Sequence, residues 1–121
     1  MPHPAPESVS VVIVNWNAGP LLEACVRSLL TVVDRARVQP EIAVVDNASR
    51  DDSLAFLATL PEVKLLRNRE NRGFAAACNQ GAAATCGELI LFFNPDCRLG
   101  AGSLEAAADV LRTTPDVGVV S

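Results

Sequence analysis

Apolar positions along this chain switch between two periods. Val9-Ser10-Val11-Val12-Ile13-Val14 is β-branched and almost wholly apolar, which predicts a buried strand. It breaks at Asn15-Trp16-Asn17-Ala18-Gly19-Pro20. Leu21, Leu22, Cys25, Val26, Leu29, Leu30 and Val33 then recur at helical spacing, with Pro20 suited to the first turn. Ile42-Ala43-Val44-Val45 predicts a second strand that runs into Asp46-Asn47-Ala48-Ser49-Arg50-Asp51-Asp52. Ser49 followed by Asp52 has the form of a capping box. A helix is therefore expected from there, with Leu54, Phe56, Leu57 and Leu60 as its apolar side and Pro61 as its stop.

Val63-Lys64-Leu65-Leu66 predicts a third strand, and 67–73 a polar loop. Phe74 to Thr85 is alanine-rich and predicted helical, packed close to the sheet by its small side chains and ended by Gly87. Leu89-Ile90-Leu91-Phe92-Phe93 reads as a central strand buried on both faces. Asn94-Pro95 ends it, because proline has no N–H for a ladder and holds its predecessor out of the helical region. Leu104, Ala107, Ala108 and Leu111 carry another helix, and Val117-Gly118-Val119-Val120 reads as a last strand.

Strands and helices alternating with short loops imply an α/β fold: a mostly parallel sheet with helices on both faces. Residues 1–8 read as a flexible, proline-rich lead-in and 9–121 as one domain. A chain that stops inside a strand is expected to be the N-terminal part of something longer, or a shortened form. Three polar clusters follow strands one, two and four: Asn15-Trp16-Asn17, Asp46-Asn47-Ala48-Ser49 and Asn94-Pro95-Asp96. Parallel strands deliver all three to one rim, where open α/β sheets bind ligands. Each cluster is also good turn chemistry, but turns alone do not require Asn or Asp at each first position.

Composition narrows the choice. With 121 residues, half of them hydrophobic, there is room for one core. The net charge of −4 and the absence of a basic stripe argue against nucleic acid as a partner; Arg67, Arg69 and Arg72 form the only local cluster. No apolar run approaches the ~18 residues of a membrane span. Cys25, Cys78, Cys86 and Cys97 have no C-x-x-C spacing and read as reduced thiols of a cytosolic chain; a zinc site is not expected, the single histidine being His3. No G-x-G-x-x-G or G-x-x-x-x-G-K-[ST] occurs, so a dinucleotide fold and a P-loop are disfavoured. A bound diphosphate would need a divalent cation held by Asp96, helped by arginines of the 67–72 loop. Asp46 is placed to accept hydrogen bonds from a base or ribose, and Trp16 either covers a base or packs at the rim.

Val-Val-Ile-Val-Asn-Trp-Asn at 11–17, Val-Val-Asp-Asn-Ala-Ser at 44–49, Asn-Arg-Gly-Phe-Ala-Ala-Ala-Cys-Asn-Gln-Gly at 71–81 and Phe-Phe-Asn-Pro-Asp at 92–96 resemble the family 2 glycosyltransferases of GT-A fold, and most of all their rhamnosyltransferase-like members. The resemblance implies a Rossmann-like nucleotide-diphospho-sugar transferase fold. It also implies inverting transfer from a nucleoside-diphosphate sugar, dTDP-rhamnose or a UDP-sugar, to a glycan or lipid-linked acceptor in cell-surface polysaccharide synthesis. By this likeness Asn15, Trp16 and Asn17 lie along the nucleoside and Asp46 receives the base. Asn71, Gly73 and Phe74 shape the nucleotide pocket. Asn94-Pro95-Asp96 is similar to the D-x-D motif, with Asp96 contacting Mg²⁺ or Mn²⁺ and Asn94 in place of the first aspartate. The general base is expected beyond Ser121, so no catalytic residue is assigned here and the chain alone is expected to be inactive. A cytoplasmic location follows, with peripheral association of the whole protein at the inner face of the membrane, and self-association of this chain through an open sheet edge. Two other readings share the strand–helix pattern: a non-catalytic nucleotide-binding module, and a receiver or flavodoxin-like interaction domain. A receiver would want paired acids where Asn15-Trp16-Asn17 stands, and a sugar-nucleotide pyrophosphorylase would want a glycine-rich loop there.

Overall fold

The computed structural model describes residues 5–121. The start of the expected lead-in, with His3, lies outside them. Four strands form: β1 (Glu7–Asn15), β2 (Val38–Asp46), β3 (Lys64–Arg67) and β4 (Leu89–Phe93). Three α-helices accompany them: α1 (Pro20–Val32), α2 (Phe74–Ala83) and α3 (Ser103–Thr113). The sheet has the order β3-β2-β1-β4 and every pairing is parallel. This is the expected α/β class, and β1 starts at Glu7, two residues before the first expected strand residue.

Alternation along β1 divides the core into two layers. Val9, Val11 and Ile13 pack with Leu22, Cys25, Val26 and Leu29 of α1 and Leu104 of α3. Val12 faces the other way and packs with Val45 and Ala77, the last on α2. Each fully buried Leu or Ile here is worth about 1.5–3 kcal/mol. The small side chains of α2 serve close approach, as expected. At Gly81 an added Cβ would overlap the Cγ1 methyl of Val12.

Four expectations are corrected. No α-helix follows Ser49; only a single 3-10 turn forms, at Ala55–Thr59. The capping box fails because Ser49 Oγ is taken by β1: it accepts from Asn17 N at 2.8 Å and from Asn15 Nδ2 at 3.1 Å. Gly87 does not end α2, which stops at Ala83 with Ala84 as its C-cap. Gly87 instead lies flat on β1, its N–H donating to Ser10 Oγ at 2.8 Å. The apolar run Leu89–Phe93 is an edge strand of this sheet rather than a central one. It pairs with β1 alone, and α2 lies over β1 and β2, so Ile90 and Phe92 are left half exposed. Val117–Val120 forms no strand; a turn closed by Val117 N donating to Thr114 O precedes it, and Val119 stands open to solvent.

Candidate functional site

The ladder brings the polar clusters together. Asn15 is the register partner of Asp46, and Asp46 of Arg67. Ile13 partners Phe93, so Asn94 leaves β4 at the same rim. A cleft of about 490 Å³ opens there, where the strand order reverses between β1 and its neighbours. That volume suits a small-molecule site. Its walls include Trp16, Asn71, Gly73, Phe74, Asn94 and Asp96, all expected from the sequence, and also Val14, Ala18, Leu21, Asn47 and Pro95.

Two aromatic rings stand in the open on this cleft, Trp16 at 59% exposure and Phe74 at 56%. Apolar rings that fold does not bury are available to a flat ligand. Phe74 opens α2 directly after Gly73, whose φ of 84° lies in the left-handed region. Asn71 Oδ1 accepts from Gly73 N at 2.8 Å and closes that corner.

On the opposite lip Asn94-Pro95-Asp96-Cys97 is a tight turn, with Cys97 N donating to Asn94 O at 3.0 Å. The motif is therefore a turn, and that turn forms part of the cleft wall. Asn94 and Asp96 are both exposed. Beneath them the Cys25 thiol points at Asn94 O from 3.6 Å. Burial pushes that thiol up to about 11, with Arg98 opposing and Cys97 and Asp96 adding to the rise. Arg98 turns back onto the same corner, donating to Cys97 O at 3.0 Å.

Asn15, Asp46 and Asn17 lie outside the cleft walls. Asp46 is 1% exposed; its Oδ1 accepts from Asn15 Nδ2 at 2.9 Å and its Oδ2 from Ser49 N at 3.0 Å. Asn15 is fully buried, and its Nδ2 also lies 2.9 Å from Ser53 Oγ, while Oδ1 has no protein partner. Direct contact of Asp46 with a base would cost these internal bonds. Asn17, at φ 51°, accepts at Oδ1 from Arg50 N at 2.8 Å. These residues bind the end of β1 to the 47–53 loop. Arg67, Arg69 and Arg72 are exposed and absent from the walls, so the expected help from that loop is not seen.

Asn47 is the residue that sequence reasoning passed over. It is 2% exposed and lines the cleft. Its Nδ2 donates to Gly73 O at 3.1 Å, and its Oδ1 accepts from Asn68 Nδ2 at 3.0 Å. It directly follows Asp46, the last residue of β2, and only the ladder reveals that Asp46 faces Asn15.

Among the described residues no group of three or more His, Cys, Asp or Glu is placed to hold a metal. The cleft offers one exposed carboxylate, Asp96, beside the amide of Asn94. Such a hard, sparse oxygen set fits Mg²⁺ or Mn²⁺ ligated chiefly by substrate phosphates and water. Among the described residues no helix is long and apolar enough to cross a membrane.

A parallel sheet with helices on both faces and a cleft at its carboxyl edge defines an α/β domain built to take a small ligand at that rim. The chain belongs to glycosyl transferase family 2, whose sequence model matches residues 10–121. It is 38% identical to an uncharacterized protein of Mycobacterium tuberculosis over 97% of its own length and 36% of the relative's. It is 29% identical to the N-acetylglucosaminyl-diphospho-decaprenol L-rhamnosyltransferase of the same organism, over 91% of this chain and 39% of that one. Its fold matches a Pyrobaculum calidifontis mannosyltransferase solved with GDP-Man and Mn²⁺, with a TM-score of 0.78 and 25% identity over 98% of this chain and 37% of that one. S. aureus TarS shares the fold, with a TM-score of 0.74 at 19% identity, over 94% of this chain and 38% of that one. The chain thus spans well under half the length of these proteins.

Proposed function

We propose that this chain is the donor-binding part of an inverting glycosyltransferase that moves a sugar from a nucleoside diphosphate to an acceptor hydroxyl. The observation that carries this reading is the convergence of Trp16, Phe74, Asn94 and Asp96 on one cleft at the carboxyl edge of the sheet. In it the base lies against the exposed faces of Trp16 and Phe74. Asn71 and Gly73 shape the nucleoside pocket. Asn94 and Asp96 face the diphosphate. Asn15, Asn17 and Asp46 hold the floor beneath.

Asp96 is the residue that would hold Mg²⁺ or Mn²⁺, and such an ion, when bound, supplies the positive charge that a leaving diphosphate needs. Lining residues supply no cation of their own. In the transfer, the acceptor oxygen bonds to the anomeric carbon from the face opposite the diphosphate. The carbon–oxygen bond to the diphosphate breaks, its electron pair leaves with the diphosphate, and a carboxylate general base takes the hydroxyl proton. Likeness to a rhamnosyltransferase supports rhamnose, carried by dTDP, as the sugar, with a UDP-sugar second. The acceptor on this reading is a glycan or lipid-linked sugar of polysaccharide synthesis, met at the inner face of the membrane.

Thermal unfolding with Mn²⁺ and a series of dTDP-, UDP- and GDP-sugars tests donor binding, since a ligand of the folded state alone raises the midpoint. A rise with the dTDP series above the others is expected. No rise with any of them would contradict the reading.

A further inference from the structure

We infer that Asn68 and Gln80 are positioning residues for the nucleotide side of the cleft, acting on it through Asn47. The inference rests on the proposed donor site and extends it to two residues that are not themselves part of the cleft wall.

The polarity of the network can be worked out from its ends. The Gly73 carbonyl can only accept, so the Asn47 amide must turn its NH2 toward it, at 3.1 Å. Asn47 Oδ1 is thereby aimed at the loop, where it accepts from Asn68 Nδ2 at 3.0 Å and from Arg72 N at 3.4 Å. Asn68 then has one amide hydrogen and one oxygen left. Gln80, on α2, answers both: its Oε1 accepts from Asn68 Nδ2 at 2.9 Å and its Nε2 donates to Asn68 Oδ1 at 2.8 Å. Asn68 N also continues the ladder to Asp46 O at 2.9 Å.

Asn47 and Asn68 are buried, at 2% and 9% exposure, so their amides cannot turn to water without loss. The reciprocal pair fixes which way Asn68 faces, Asn68 fixes Asn47, and Asn47 holds the carbonyl of Gly73. Gly73 sets where Asn71 and Phe74 stand on the cleft. A side chain in the second turn of α2 thus sets the corner at its first residue.

The test uses two variants of Gln80, which is only partly buried. Gln80→Met keeps the bulk and removes both bonds. Gln80→Glu keeps an acceptor for Asn68 Nδ2 but replaces the donor to Asn68 Oδ1 by a second acceptor. UDP, dTDP and GDP are each titrated with Mn²⁺ onto the unsubstituted chain, and the tightest is carried to both variants. Gln80→Met should weaken it by about three- to ten-fold, the worth of one to two buried hydrogen bonds. Gln80→Glu should weaken it further than Gln80→Met, because the carboxylate oxygen in place of Nε2 repels Asn68 Oδ1 and turns the Asn68 amide. Equal Kd in all three proteins would overturn the inference and leave the donor site standing. Equal weakening in both variants would assign the effect to packing of α2 and would also overturn it. No binding by the unsubstituted chain would overturn the donor site, and the inference with it.

Discussion

The amide of Asn15 donates to the carboxylate of Asp46 at 2.9 Å, at the point where β1 and β2 end side by side. Both residues are buried, and no lysine or arginine answers the carboxylate there, only Asn15 and the N–H of Ser49. Together they tie the ends of the two strands to the 47–53 loop. Asn15→Ala should cost about 3 kcal/mol, because it leaves a buried carboxylate short of a donor. Asp46→Ala should cost about 2 kcal/mol, since Asn15 keeps Ser49 and Ser53. Urea unfolding measures both. Loss of nucleotide binding at unchanged stability would instead return Asp46 to direct contact.

Packing of α2 on the sheet allows no side chain at position 81. A Cβ there would overlap Val12 Cγ1 and crowd Val45 Cγ2, and both valines are buried in the sheet. Gly81→Ala should destabilise by about 1–3 kcal/mol, the usual range for an overpacked core. Equilibrium denaturation is the check, and a stabilised variant would refute the packing.

Asp51 reaches across to α1. Its carboxyl is held below the usual range, first by the Ser53 hydroxyl and also by Ser53 N and Gly19 N, the last at the start of the helix. A carboxyl with a lower value folded than unfolded binds fewer protons when folded. Its contribution is therefore full above the ordinary carboxylate value of about 3.9 and is lost as pH falls through the folded one. Asp51→Asn should unfold more readily at pH 7 and show a shallower loss of midpoint below pH 4. Parallel curves for the two proteins would remove the effect.

Thiol chemistry should divide the four cysteines. Cys86 is exposed and Cys97 partly so, whereas Cys25 and Cys78 are buried. Burial also raises both buried thiols, Cys25 to about 11, and the thiolate is the reactive form. A disulfide reagent at neutral pH should label Cys86 first and Cys97 next, with Cys25 reached only on unfolding. Fast labelling of Cys25 would mean that α1 opens beside the Asn94 corner.

Much of this was legible in the sequence because local and global preferences agree. Strand β1 and helix α1 carry clean periodicity, and the rim follows once parallel strands are granted. The errors lie where a long-range contact outranks a local signal. Ser49 and Asp52 spell a helix start, but Ser49 is claimed by β1, from 34 positions away at Asn15. Leu89–Phe93 reads as doubly buried because its composition records apolar character, whereas the cover for Ile90 and Phe92 is set by where α2 lies. The cleft wall takes Asn47 rather than Asp46 for a similar reason. Adjacent residues at a strand end face opposite ways, and only the register with Asn15 says which one the cleft receives.

The central claim is that Asp96 links a nucleoside diphosphate to a divalent cation in the cleft. Calorimetric titration of dTDP and UDP, with and without Mn²⁺, onto the chain and onto Asp96→Ala tests it most directly. Binding should need Mn²⁺ in the unsubstituted chain, and it should fall by about ten-fold or more in Asp96→Ala, the loss expected when one carboxylate leaves a metal–phosphate site. Binding of equal strength with or without the metal, and unchanged by Asp96→Ala, would contradict it.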